Sequence, residues 1–96
     1  MKIDNFVIKE DFPLLPIQLL EDFATVIKLL LQLNPLNFYR AYSSYALLDE
    51  LQGYRALEID FDDNAYRLVY RVYDSPSPRC VVIISFAKHN PAYSRV

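Results

Sequence analysis

Tyr66-Arg67-Leu68-Val69-Tyr70-Arg71-Val72 is the stretch on which the fold turns. It alternates apolar residues with arginines and aromatics at a period of two, which fits a strand with one face in a core and the other face turned away. Leu68, Tyr70 and Val72 fall on the apolar face; Arg67, Val69 and Arg71 fall on the reverse, with Tyr73 after them. Residues 74–78, Asp-Ser-Pro-Ser-Pro, form a turn too short for a crossover, so the apolar run that follows, residues 80–87, is predicted to return antiparallel. Because Val81-Val82-Ile83-Ile84 is apolar on both faces, the reading places that strand at the centre of a sheet.

Upstream, Leu57, Ile59 and Phe61 alternate with Glu58 and Asp60 and predict another strand. Residues 62–65 carry the turn signal Asp-Asp-Asn-Ala. With Asp63-Asn64 as a two-residue loop, Asp60 lies opposite Arg67 and Glu58 is diagonal to it, close to Arg71. Before Gly53 the period is helical. Residues 17–33 are dense in leucine, with Leu20, Phe23, Ala24, Ile27, Leu30 and Leu31 on one stripe that Leu19, Val26, Leu29 and Leu33 widen. Charges recur too often there for a membrane span. Pro13 and Pro16 suit the first turn, and Asn34-Pro35 stops the helix. A second helix is predicted over 37–52, with Asn37 as N-cap, Phe38, Ala41, Tyr45 and Leu48 inward, and Gly53 as its left-handed end. Residues 3–8 read as a short first strand at a sheet edge.

Composition bounds the function. Ninety-six residues support a single domain, 1–96, and 53% of them are hydrophobic, above the roughly 45–50% of soluble domains. Part of that apolar surface is expected to belong to a partner. A formal net charge of −2 argues against a protein that holds nucleic acid chiefly through phosphates. One cysteine, Cys80, forms no internal disulfide, one histidine, His89, builds no zinc site, and the lone Gly53 excludes a glycine-rich phosphate loop. No cofactor or metal is expected. The first ten residues carry no secretory core, so cytoplasmic residence is the default expectation.

The wording of the last two strands is more specific. Residues 66–72, then Asp74, then Val81-Val82-Ile83-Ile84-Ser85-Phe86-Ala87-Lys88-His89 and Tyr93, closely resemble the C-terminal half of toxins of the RelE/ParE superfamily, the toxic partners in type II toxin–antitoxin pairs. Residues 51–57, Leu-Gln-Gly-Tyr-Arg-Ala-Leu, look like the family's approach to its second strand, so the resemblance spans roughly residues 48–93. It implies an α+β fold of RelE-like order β-α-α-β-β-β, with antiparallel C-terminal strands packed against two N-terminal helices. It also implies a cognate antitoxin peptide as partner. RelE-type members cleave mRNA on the ribosome without a metal: a ribose 2′-hydroxyl attacks the phosphate, basic residues stabilise the growing charge, and an acid protonates the leaving oxygen. By position, Arg67 matches the strand arginine, Lys88 and His89 the basic pair closing the last strand, and Tyr93 the tyrosine beyond, with Arg71 and Arg55 as RNA contacts.

Each residue has a plainer alternative. Arg67 opposite a carboxylate is also an ordinary cross-strand ion pair; Lys88 and His89 are also surface residues, Tyr93 a core edge and Cys80 a buried small hydrophobe. Glu58 and Asp60 stand where RelE-type nucleases commonly carry lysines, and the spacing from His89 to Tyr93 is short, with Pro91 between. Three function classes therefore stay open: a ribosome-dependent mRNA endoribonuclease, a non-catalytic or ParE-like interaction module such as a gyrase inhibitor or degenerate toxin, and a homodimerising structural domain.

Overall fold

The computed structural model describes residues 1–33, 43–47, 52–73 and 80–88. Among the described residues, five strands make one sheet in the order β1-β5-β4-β3-β2. They are β1 (Lys2–Ile3), β2 (Ser43–Ala46), β3 (Tyr54–Phe61), β4 (Asn64–Tyr73) and β5 (Cys80–Lys88). The last four pair antiparallel in sequence order, while β1 lies parallel to β5 with Lys2 opposite Val82. The described residues are α+β, with the helical period of 17–33 forming helix and the alternating residues after Gly53 forming strands.

The opening stretch sits in the middle strand, β4. Tyr66, Leu68 and Tyr70 are buried against the helical side with Leu57, Ile59, Val81, Ile83 and Phe86, as the alternation requires. The centre therefore belongs to β4 and not to β5, whose outer neighbour is the two-residue β1. A bulge between Val69 and Tyr70, opposite Ile84, resets the alternation of β5, so that Ile83 and Phe86, three residues apart, both lie in the core.

The N-terminus leaves its strand earlier than the residue types suggest. The Asp4 carboxylate accepts the Phe6 amide at 2.8 Å, a helix-starting cap, and the chain coils through a π turn at Val7–Asp11 and a 3-10 turn at Phe12–Leu14. Residues 6–8 are thus helical, and only Lys2–Ile3 is strand. Pro16 stays extended and precedes α1 (Ile17–Asp22), which continues through a π turn at Phe23–Ile27 into α2 (Lys28–Leu33). Among its described side chains, Leu19, Phe23, Ile27 and Leu31 are buried. Four residues of α-helix overshoot a full turn by about 40°, so a strict four-residue spacing would spiral away from the sheet. The looser π turn at its middle brings the line back. Ala24, included in the sequence stripe, faces outward, while Leu19 is 1% exposed.

The second helix over 37–52 is corrected where it can be seen: Ser43–Ala46 is strand β2, with Tyr45 opposite Ala56. The parts of that segment at 37–42 and 48–51 lie outside the described residues. Gly53 does adopt a positive φ of 96°, but within the turn that leads into β3. The β3–β4 turn also differs from expectation. Asp62 and Asp63 form the loop, with φ of 50° and 62°, and Phe61 pairs with Asn64. That register sets Glu58, not Asp60, opposite Arg67, and leaves Asp60 opposite Ala65. A shift of two residues preserves which side chains share a face.

Candidate functional site

Directly opposed residues on neighbouring strands share a face of the sheet, so the register divides the basic residues cleanly. Arg67 lies opposite Glu58 and Arg71 opposite Tyr54, on the face away from the helices. Arg55 lies opposite Tyr70 and Lys88 opposite Tyr66, on the helix-facing side. The sheet therefore separates Arg67 and Arg71 from Lys88 and Arg55. His89 and Tyr93, the expected proton-handling residues, lie outside the described residues.

Arg67 is 9% exposed, although the strand would let its side chain reach solvent. Its Nη2 donates to Glu58 Oε1 at 2.6 Å, and Glu58 itself is about half covered. A charge-assisted bond of that length to a guanidinium held between flanking strands is a structural pair. Val69, Ala56 and Leu47 are buried in a small second cluster on this face, with Tyr54 and Ala87 packed against it. Arg67 thus lies on a largely apolar surface, its nearest described anion already bound.

Arg71 is arranged differently. Its guanidinium carbon stands 5.3 Å from the Tyr54 ring centre and 5.2 Å from that of Tyr73, both within cation–π range. Gly53 brings backbone beside its tip: a β-carbon there would lie 3.5 Å from Arg71 Nη2. Among the described residues Arg71 makes no ion pair or hydrogen bond. The alternation of residues 66–73 put Arg71 and Tyr73 on one face. It gave no sign of Tyr54, because that contact depends on the register.

On the helix-facing side, a cavity of about 340 Å³ opens beside Lys88, between Leu14, Leu15 and Phe86. The Asp11 carboxylate in its wall is 2% exposed and accepts the Phe86 amide at 2.8 Å. Beyond Ile83 the short β1 no longer covers the outer edge of β5, and Asp11 takes the place of a strand partner there. Sequence reading missed Asp11, since its partner lies 75 residues away.

Among the described residues no group of three or more His, Cys, Asp or Glu side chains converges to hold a metal ion. No helix among them is long and apolar enough to cross a membrane. Comparison with protein-family models, with curated proteins and with solved structures finds no match.

Proposed function

We propose that this chain is a protein-binding module of RelE/ParE-like type, a toxin-class domain that acts by engaging another protein rather than by cleaving mRNA. The observation that carries the reading is the Arg67–Glu58 pair: the arginine that the resemblance casts as phosphate-stabilising is nine-tenths buried and bound to a carboxylate at 2.6 Å. Transition-state stabilisation of a phosphate requires donors aimed at the place where charge develops. Here one donor edge already ends on Glu58.

Charge on the same face points the same way. Among the described residues, Arg67 and Arg71 are matched in number on this face by Glu58 and Asp60, and Asp62 and Asp63 stand at the hairpin tip, so those residues carry no excess positive charge to hold a polyanion. With Lys88 and Arg55 on the other side of the sheet, the described basic residues do not form one cleft. The resemblance over residues 48–93 and the high apolar content support the toxin class, with a cognate antitoxin peptide as one expected partner.

The purified chain, added to a translating extract with a defined mRNA, is expected to produce no new 5′ ends by primer extension, and Arg67→Ala is expected to behave like the parent. Cleavage that depends on Arg67 would overturn the reading in favour of the ribosome-dependent nuclease. A gyrase supercoiling assay on the same preparation separates a ParE-like inhibitor from a module that only pairs with its antitoxin.

A further inference from the structure

We infer that Arg71, held by Tyr54 and Tyr73 beside Gly53, is a carboxylate-recognition site that takes an acidic side chain or C-terminus of a protein partner. The inference rests on the binding-module reading for the identity of the partner, while the chemistry of the site stands on its own geometry.

Three features build the site. Position comes first: Tyr54 is directly opposite Arg71 in the β3–β4 register, and Tyr73 follows two residues later on the same face. Strand register therefore places both rings beside one guanidinium, and the side chains meet at 5.3 Å and 5.2 Å. Two ring contacts restrict a side chain that otherwise loses much rotamer freedom when it binds, and a planar fork fixed in advance loses less on meeting its ligand. The second feature is unused donor capacity. A guanidinium carries five N–H donors, and the aromatic rings provide neither a carboxylate nor a carbonyl oxygen for them. Arg67, four residues earlier on the same strand and the same face, shows the contrast, because its donor is taken by Glu58 at 2.6 Å. The third feature is access. Tyr73 is 42% exposed, Arg71 is partly exposed, and the neighbouring turn presents Gly53, whose lack of a side chain leaves the backbone low beside Nη2.

The ligand class follows from charge and shape. A carboxylate is planar and accepts two parallel N–H bonds from one guanidinium, so a single isolated arginine can recognise it. RNA is the weaker candidate. Its affinity is gathered from many phosphate contacts, and among the described residues this face offers Arg71 and the Glu58-bound Arg67, with Asp60 further along it. Tyrosine rings around an arginine also suit a protein interface, where both residue types are enriched in the centre of binding energy.

The site can be tested with acetate as probe, acetamide as its neutral isostere and a short oligouridine as the nucleic-acid arm, following the Arg71 Nε–Hε and Gly53 amide resonances by NMR at constant ionic strength. Acetate is expected to move both signals saturably, and acetamide to leave them in place. Tyr73→Leu is expected to weaken acetate binding at least threefold. Arg71→Lys keeps the charge but not the fork, and is expected to weaken binding at Gly53 at least fivefold while the remaining spectrum stays folded. Equal responses to acetate and acetamide, an Arg71→Lys variant that binds as the parent does, or saturation by oligouridine alone would each overturn the assignment. Arg67-dependent mRNA cleavage with acetate recognition intact would remove the binding-module reading and leave the carboxylate site standing.

Discussion

Replacing Glu58 by Gln keeps the size of the side chain but removes the charge that meets Arg67, whose side chain is 10% exposed. Breaking a buried pair from one side costs about 3–5 kcal/mol, while exposed pairs contribute about 0–1 kcal/mol. Glu58 is 43% exposed, which discounts the upper figure; a loss of about 1–2 kcal/mol in urea unfolding is expected. Removing both charges should be gentler than removing one, since an apolar pair of similar volume leaves no buried cation to satisfy. Glu58→Leu combined with Arg67→Met is therefore expected to lie closer to the parent than Glu58→Leu alone. A double variant less stable than either single one would show that Arg67 is held by something other than this pair. Sequence placed Arg67 correctly on the face away from the core and anticipated a carboxylate partner for it. It named Asp60, because the choice between Asp60 and Glu58 depends on which two residues make the turn.

That turn belongs to the level of the element. Asp62 and Asp63 both carry positive φ, the pairing a two-residue hairpin loop demands, and the Asn64 side chain donates to the Asp62 carbonyl at 3.0 Å. Aspartate tolerates the left-handed region better than most residues, yet a β-carbon there still costs about 1–2 kcal/mol. Asp63→Gly is expected to raise stability by about 1 kcal/mol, or about 4–8 °C in Tm, with the Glu58–Arg67 register unchanged. A lower Tm would mean that the Asp63 side chain contributes a bond worth more than the strain it carries. The helical rod poses the opposite case. Phe23 is 3% exposed and sits 5.5 Å from the Phe12 ring and 5.6 Å from the Phe86 ring, so Phe23→Ala should cost about 3–5 kcal/mol, whereas Ala24 next to it faces outward. Residues 17–33 were legible as a helix because their apolar spacing is local. Ser43–Ala46 was not, because its strand state comes from pairing with Arg55–Glu58 positions further along the chain, and a tyrosine–serine stretch fits either period until a partner strand is present.

At the scale of the molecule, the main core joins the N-terminal turns, the helical rod and three strands: Val7, Leu19, Phe23, Ile27, Leu57, Leu68, Tyr70 and Phe86 are all 0–3% exposed within a single cluster. The tie between its two ends is Asp11, which carries the helical entry to the outer edge of β5 through the Phe86 amide. Asp11→Ala leaves that amide buried without its acceptor, at a cost of about 1–3 kcal/mol. Asp11→Asn retains a carbonyl oxygen and should lose less than half as much. Because the core is shared, either loss is expected to be global: urea transitions followed by far-UV and by near-UV tyrosine circular dichroism should move together, and the Phe86 amide should exchange only through full unfolding. If Asp11→Ala speeds Phe86 exchange while the urea midpoint stays fixed, the edge of β5 opens by itself. In that case the N-terminal turns would be a cover on the sheet rather than part of the unit that folds with it.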